Sequence, residues 1–166
     1  MQWRRAIKHL LTPDWVAMRP FPAPLLERIE RAISASEQRH RGEVRFALEA
    51  SLEPLDVLRG TPARTRADEL FATLRVWDTE ENSGVLIYLQ MVDRRIEIVA
   101  DRGINRMVQQ SEWDAICRHM ENEFRAGRFE AGTLAAIGEV TELLAKHFPP
   151  LSANPDELPN RPVVLT

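Results

Sequence analysis

DTEENSGVLIYLQMVDRRIEIVA, residues 78–100, decides the fold. Val85 to Leu89 is apolar without alternation, the pattern of a strand covered on both faces. Val92-Asp93-Arg94 supplies a turn, and Arg95 to Ala100 then alternates with Ile96, Ile98 and Ala100 on one side, so the two strands form an antiparallel hairpin. Directly before the apolar strand stands an acidic, turn-prone knot, Asp78 to Ser83.

Upstream, Thr61-Pro62 reads as a helix start, with Ala67, Leu70, Phe71, Leu74 and Trp77 on one face, predicting a helix from about Pro62 to Val76. Before it, Val44, Phe46 and Leu48 alternate with Glu43, Arg45, Ala47 and Glu49, as in a strand with one buried and one wet face. Strand, helix and strand make a crossover with parallel strands. Pro24 opens an earlier helix carrying Leu25, Leu26, Ile29 and Ile33, which stops near Gly42. Ser111 and Asp114 suggest the start of a helix striped by Trp113, Ile116, Met120 and Phe124. A last helix, about Ala131 to His147, carries Leu134, Ile137, Val140, Leu143 and Leu144. The expected fold is an α/β layered sandwich: a mixed central sheet of three to four strands, with a parallel crossover and an antiparallel hairpin, flanked by helices.

The chain divides into an N-terminal amphipathic segment (1–20), an α/β domain (21–148) and a proline-rich extended tail (149–166) with Pro155, Pro159 and Pro162, expected to be poorly ordered or to dock along a surface. At 166 residues, with 44% hydrophobic and 28% charged content, it fits one globular domain without disulfides. The single Cys117 fits a reducing compartment, and a cysteine-phosphatase signature would need arginine where Glu123 stands, so Cys117 reads as a partly buried helix residue. A net charge of −3 gives no reason to expect nucleic acid. No run suits a signal-peptide core or a transmembrane segment, and the expected location is the cytoplasm, including a peripheral position at the inner membrane. Trp3, Ala6, Ile7, Leu10 and Leu11 share one helical face opposite Arg4, Arg5 and Lys8; packing on the domain's own body is the preferred reading, and surface-lying membrane contact the other.

Phosphate loops, serine elbows and paired histidines are missing from the pattern, and His9, His40, His119 and His147 are scattered. The topology instead brings Glu43, Asp78, Glu80, Glu81 and Asp101 to one end of the sheet, with Thr79, Asn82 and Ser83 adding neutral oxygens. A hard, oxygen-loving cation, calcium or magnesium, would relieve that crowding. The spacing Asp78-x-Glu80-x-Asn82 is no EF-hand, because Gly84 comes one place late and Leu89 stands where a bidentate Glu belongs. A plain turn with solvated acids, or ion pairs with Arg75 and Arg102, is the alternative reading.

Arg66-Ala67-x-x-Leu70-Phe71, Trp77-x-Thr79-x-x-Asn82-x-Gly84-Val85-Leu86-Ile87-Tyr88-Leu89, Glu97-Ile98-Val99-Ala100-Asp101-Arg102-Gly103 and Trp113 together make the chain resemble the TPM domain family from about Leu25 to Phe148. It looks most like the short bacterial members without membrane helices. The resemblance implies an α/β sandwich and calcium binding in an acidic cleft. Carried onto this chain, it marks Asp78, Glu80, Glu81, Asn82 and Asp101 as metal positions, with Asp78 and Asp101 foremost; Glu43 joins them from topology. Family members include thylakoid-lumen proteins with a proposed acid phosphatase activity, a membrane-associated accessory factor for receptors, and bacterial proteins that accompany LemA-type membrane proteins. The expected function is therefore a divalent-cation-binding accessory module for a membrane-associated, LemA-type partner. The alternative is a metal-assisted acid phosphatase using Arg102, and whether the chain is an enzyme stays open.

Overall fold

The computed structural model describes residues 2–151 and 156–166, without the side chains of Gln2 and Arg4. Pro155 and the Arg4 side chain, both used above, lie outside the described set. In chain order the elements are α1 (Gln2–Leu11), α2 (Asp14–Ala17), α3 (Ala23–Glu37), β1 (Glu43–Glu49), α4 (Pro54–Arg59), α5 (Ala63–Thr73), β2 (Gly84–Gln90), β3 (Arg95–Ala100), α6 (Arg102–Asn105), α7 (Gln110–Arg125), α8 (Phe129–His147) and β4 (Val163–Leu165). The sheet order is β3-β2-β1-β4, with β1 parallel to β2 and to β4, and β2 antiparallel to β3. This is the expected α/β sandwich with a mixed four-stranded sheet.

Period-two alternation sends Val44, Phe46, Leu48, Val85, Ile87 and Leu89 to one face, where α3, α7 and α8 cover them with Ile29, Ile33, Trp113, Met120, Ile137 and Val140. The other face carries Ala47, Leu86, Tyr88 and Val99 under Ala67 and Leu70 of α5. All seven residues of β1 are buried, so its second face is not wet. Glu43, Arg45 and Glu49 look apt for solvent in sequence, but α5 and the returning tail close over them. Leu158 N–H bonds Glu43, Arg45 reaches Arg161 O, Arg66 binds Glu49, and β4 pairs with Ala47 to Glu49. The tail therefore docks, and does so as a sheet edge.

Local boundaries follow cap chemistry. Pro62 occupies the N-cap of α5, which stops at Thr73 because Arg75 turns left-handed (φ 54°) and tucks Val76 inward. Trp77, expected on the buried stripe, is consequently half exposed. The α7 capping box is built by Gln109 and Glu112 rather than by Ser111 and Asp114, so the helix begins two residues earlier.

The N-terminal helix packs on the body, but with its polar side inward. Arg5 binds Asp93 at 2.6 Å, Lys8 donates to Val92 O, and His9 Nδ1 accepts the Leu52 N–H at 3.0 Å. Burial opposes the Asp93 charge, yet the bonds from Arg5 and His9 prevail and hold its carboxyl below the usual range.

Candidate functional site

The N-terminal ends of β1 and β2 and the C-terminal end of β3 meet at one end of the sheet, because Glu43 pairs with Gly84 and Val85 with Ala100. There the loop 78–83 folds on its own bonds. Asn82 N–H donates to Thr79 O, Ser83 N–H donates to Thr79 Oγ1 at 3.0 Å, and Asn82 adopts a left-handed conformation (φ 53°) that asparagine tolerates. The loop rests on α6, whose Gly103 and Ile104 N–H groups donate to Asn82 O.

Of the acidic positions, Asp78 and Glu80 are exposed. Glu81 pairs with Arg41, and Asn82 Oδ1 accepts from Arg102 Nε at 2.9 Å. Asp101 is buried and caps α6 by accepting the Arg102 N–H on Oδ1 at 2.7 Å. Its second oxygen, Oδ2, is buried with no hydrogen-bond partner. A lone buried carboxylate oxygen is costly to leave unanswered and marks a place for an ordered water or an ion.

Glu43 belongs to a second group, joined to the loop through Glu157, whose N–H donates to Glu43 and whose carboxylate accepts the Glu80 N–H. One oxygen from each of Glu37, Glu43 and Asp156 lies within 4.8 Å of the others. The signal in sequence is faint, since Glu37 reads as a helix end and Asp156 belongs to the tail. Burial, with Glu43 adding to it, pushes the Glu37 carboxyl up to about 8, and burial pushes Glu43 up to about 7 against the N–H bonds of Glu157 and Leu158. Arg45 shares this environment; burial lowers its pKa while Glu37 and Glu43 oppose the change, so a guanidinium already answers part of the charge. Oxygens within 4.8 Å of one another can share one calcium, with Ca–O bonds of about 2.4 Å.

A Ser-His pair also escaped sequence reading. Ser36 Oγ lies 2.7 Å from His40 Nε2 and 2.6 Å from Thr141 Oγ1, while His40 Nδ1 faces Gly42 O at 2.9 Å. The carbonyl only accepts, so Nδ1 carries the proton and Nε2 accepts from Ser36. His40 is fully buried, and burial lowers its pKa to about 4, so the ring is a neutral structural partner of Ser36, which in turn ties α3 to α8 through Thr141. Cys117 is partly buried, and burial, with Glu97 next, pushes its thiol up to about 12, which leaves no thiolate for nucleophilic attack near neutrality.

These shifts have opposite signs in pH. Between the ordinary value of 4.5 and about 8, folded Glu37 and Glu43 hold more protons than the unfolded chain, so stability falls as pH rises. His40 acts oppositely from about 4 to its ordinary 6.5, where the unfolded chain holds more protons and stability rises with pH. The window above 6.5 is therefore left to the carboxyls. Tm is expected to fall from pH 6.5 to 8, with a limiting slope of about 1.4 kcal/mol per pH unit per proton, and Glu37→Gln should flatten it. A wild-type Tm that stays level or rises across that window would contradict the assignment.

The sequence profile described as the TPM domain matches residues 23–143, which includes the loop, Asp101 and both carboxylate-bearing ends of β1 and α3. No curated protein sequence matches the chain. Among solved structures, the NMR structure of the BA42 protein from the psychrophilic bacterium Bizionia argentinensis is similar at 31% identity and a TM-score of 0.76, covering 86% of this chain and 94% of that one.

Proposed function

The chain belongs to the TPM domain family, and from that premise we propose that it is a divalent-cation-binding accessory module that works beside a membrane-associated protein. The observation that carries the cation reading is Asp101 Oδ2, buried and unpartnered beside a loop of oxygen donors. Asp101 would supply the anionic ligand, with Asp78, Glu80 and loop carbonyls reaching in from solvent. The Glu37–Glu43–Asp156 group is the weaker candidate because Arg45 stands beside it.

At about 1 mM calcium, a site with a Kd of about 10 μM stabilises the fold by roughly 2.7 kcal/mol, or several degrees in Tm. Calcium is expected to raise Tm in wild type and in Glu43→Gln but not in Asp101→Asn. A rise lost only in Glu43→Gln would move the ion to the Glu37–Glu43–Asp156 group. No rise with calcium, magnesium or manganese would overturn the cation reading.

Metal-assisted phosphomonoester hydrolysis is the second reading, favoured by Arg102, an exposed cation held beside the loop through Asn82. It requires turnover that disappears in both Asp101→Asn and Arg102→Ala, and turnover indifferent to both would point to a contaminant. A membrane-associated partner of LemA type would be tested by capture from membranes with the full chain.

A further inference from the structure

The inverted helix α1 lies at the end of the sheet opposite the acidic loop, against α4 and the turn after β2. Eight of the twelve large apolar side chains exposed among the described residues are there: Trp3, Ile7, Leu10, Leu11, Trp15 and Val16 in α1 and α2, and Leu55 and Leu58 in α4. Leu10 is 76% exposed, Leu11 72% and Trp15 74%. A helix that needed only to pack would turn these inward, because burying each would contribute about 1.5–3 kcal/mol. Instead Arg5, Lys8 and His9 anchor the polar side to Asp93, Val92 O and Leu52 N–H, which fixes the apolar side outward. No helix among the described residues is long and apolar enough to cross a membrane.

We infer that α1, α2 and α4 form a docking surface for an anionic lipid bilayer. Trp3 of α1 and Trp15 of α2, set among leucines with charged groups at the flanks, form the pattern that lies at the headgroup boundary. Charge selects lipid over other occupants. With Arg5 taken up by Asp93, residues 1–20 still contain Arg4, Lys8 and Arg19 against the single acid Asp14, in a chain whose net charge is −3. Arg59 and Arg94 are exposed at the same end; Glu53 and Asp56 stand against them, while Asp93 is bound by Arg5 and His9. Asp78 and Glu80 lie at the far end of strands seven residues long, roughly 20 Å away. The molecule is thus polarised, with its cationic, apolar end suited to an anionic surface and its acidic end held off it. A second copy docked face to face would set these cations against their equals. The contact gives the proposed membrane association a lipid component of its own and does not depend on the cation site.

Co-sedimentation of the full chain with phosphatidylcholine vesicles, with and without about 30% phosphatidylglycerol, tests this. Binding is expected only with the anionic lipid, accompanied by a blue shift of tryptophan emission, and weakened by salt. Leu10→Asp with Trp15→Ser should lose at least tenfold in apparent affinity by removing apolar contact, at unchanged Tm because both side chains are exposed; Arg19→Glu should lose about fivefold or more. Failure to bind either vesicle would overturn the proposal, as would undiminished binding of the double variant. Self-association abolished by that variant, without vesicle binding, would reassign the face to a second copy, and binding only to vesicles bearing membrane protein would reassign it to a protein partner.

Discussion

Arg66→Ala is expected to destabilise the domain by about 3 kcal/mol, lowering Tm by roughly 6–12 °C in thermal unfolding. Glu49 is buried in β1 and receives Arg66 through Nε at 3.0 Å and Nη2 at 2.7 Å, while the Tyr88 hydroxyl donates to its other oxygen. Removing the guanidinium leaves a buried carboxylate with Tyr88 alone, and the cost of that exceeds the net worth of the pair. Burial, followed by the neighbouring Glu49, pushes the Tyr88 hydroxyl well above the usual phenol range, so it remains a donor and not a second charge. Arg66→Lys should recover only part of the loss, because an ammonium lacks the two-pronged fit. A Tm change within about 1 °C for Arg66→Ala would show that solvent replaces the guanidinium without cost. The same geometry holds Arg66 at the opposite end of β1 from the acidic loop.

The second large effect lies in the glycines that frame that loop. A Cβ on Gly84 would stand 1.9 Å from Val76 O, and one on Gly103 would stand 2.3 Å from Glu81 O and 2.5 Å from Asn82 O. Each obstacle is backbone, which cannot rotate aside. Gly84→Ala is therefore expected to cost about 3 kcal/mol, and Gly103→Ala to cost a comparable amount while levering the 78–83 loop off α6. Gly138, on the exposed side of α8 with nothing near its Cβ position, provides the contrast: Gly138→Ala should stabilise by about 0.5–1 kcal/mol. Chemical denaturation of the three variants measures all of this, and equal stabilities for Gly84→Ala and Gly138→Ala would contradict the close packing at the strand entry.

Those glycines explain why the Asn82-Ser83-Gly84 and Asp101-Arg102-Gly103 segments are so distinctive in sequence. They are where a strand entry and a strand exit cross at van der Waals distance. The central hairpin was legible because a continuous apolar run beside an alternating one admits few arrangements, and the stripes of α3, α7 and α8 were legible from helical spacing. What escaped reading depends on residues distant in the chain. Three residues of the tail form β4 through backbone pairing with β1, to which side-chain pattern gives no clue. Glu43 and Arg45 look solvent-facing until residues 157–161 lie over them. Glu37 and Asp156 join Glu43 only in three dimensions. The orientation of α1 is set by Asp93, Val92 and Leu52, so its amphipathic pattern was visible while its inversion was not. The candidate cation site was half legible: the end of the sheet followed from topology, but the gathering of Glu43 with Glu37 and Asp156 depends on the tail that lies against it.

Calcium titration followed by backbone amide chemical shifts tests the cation site most directly. Saturable shifts are expected in residues 78–83 and 101–103, absent in Asp101→Asn, with the amides of Glu37, Val44 and Leu158 unmoved. Shifts confined to those last three, or none at any calcium concentration, would contradict the assignment of the cation to Asp101 and its loop.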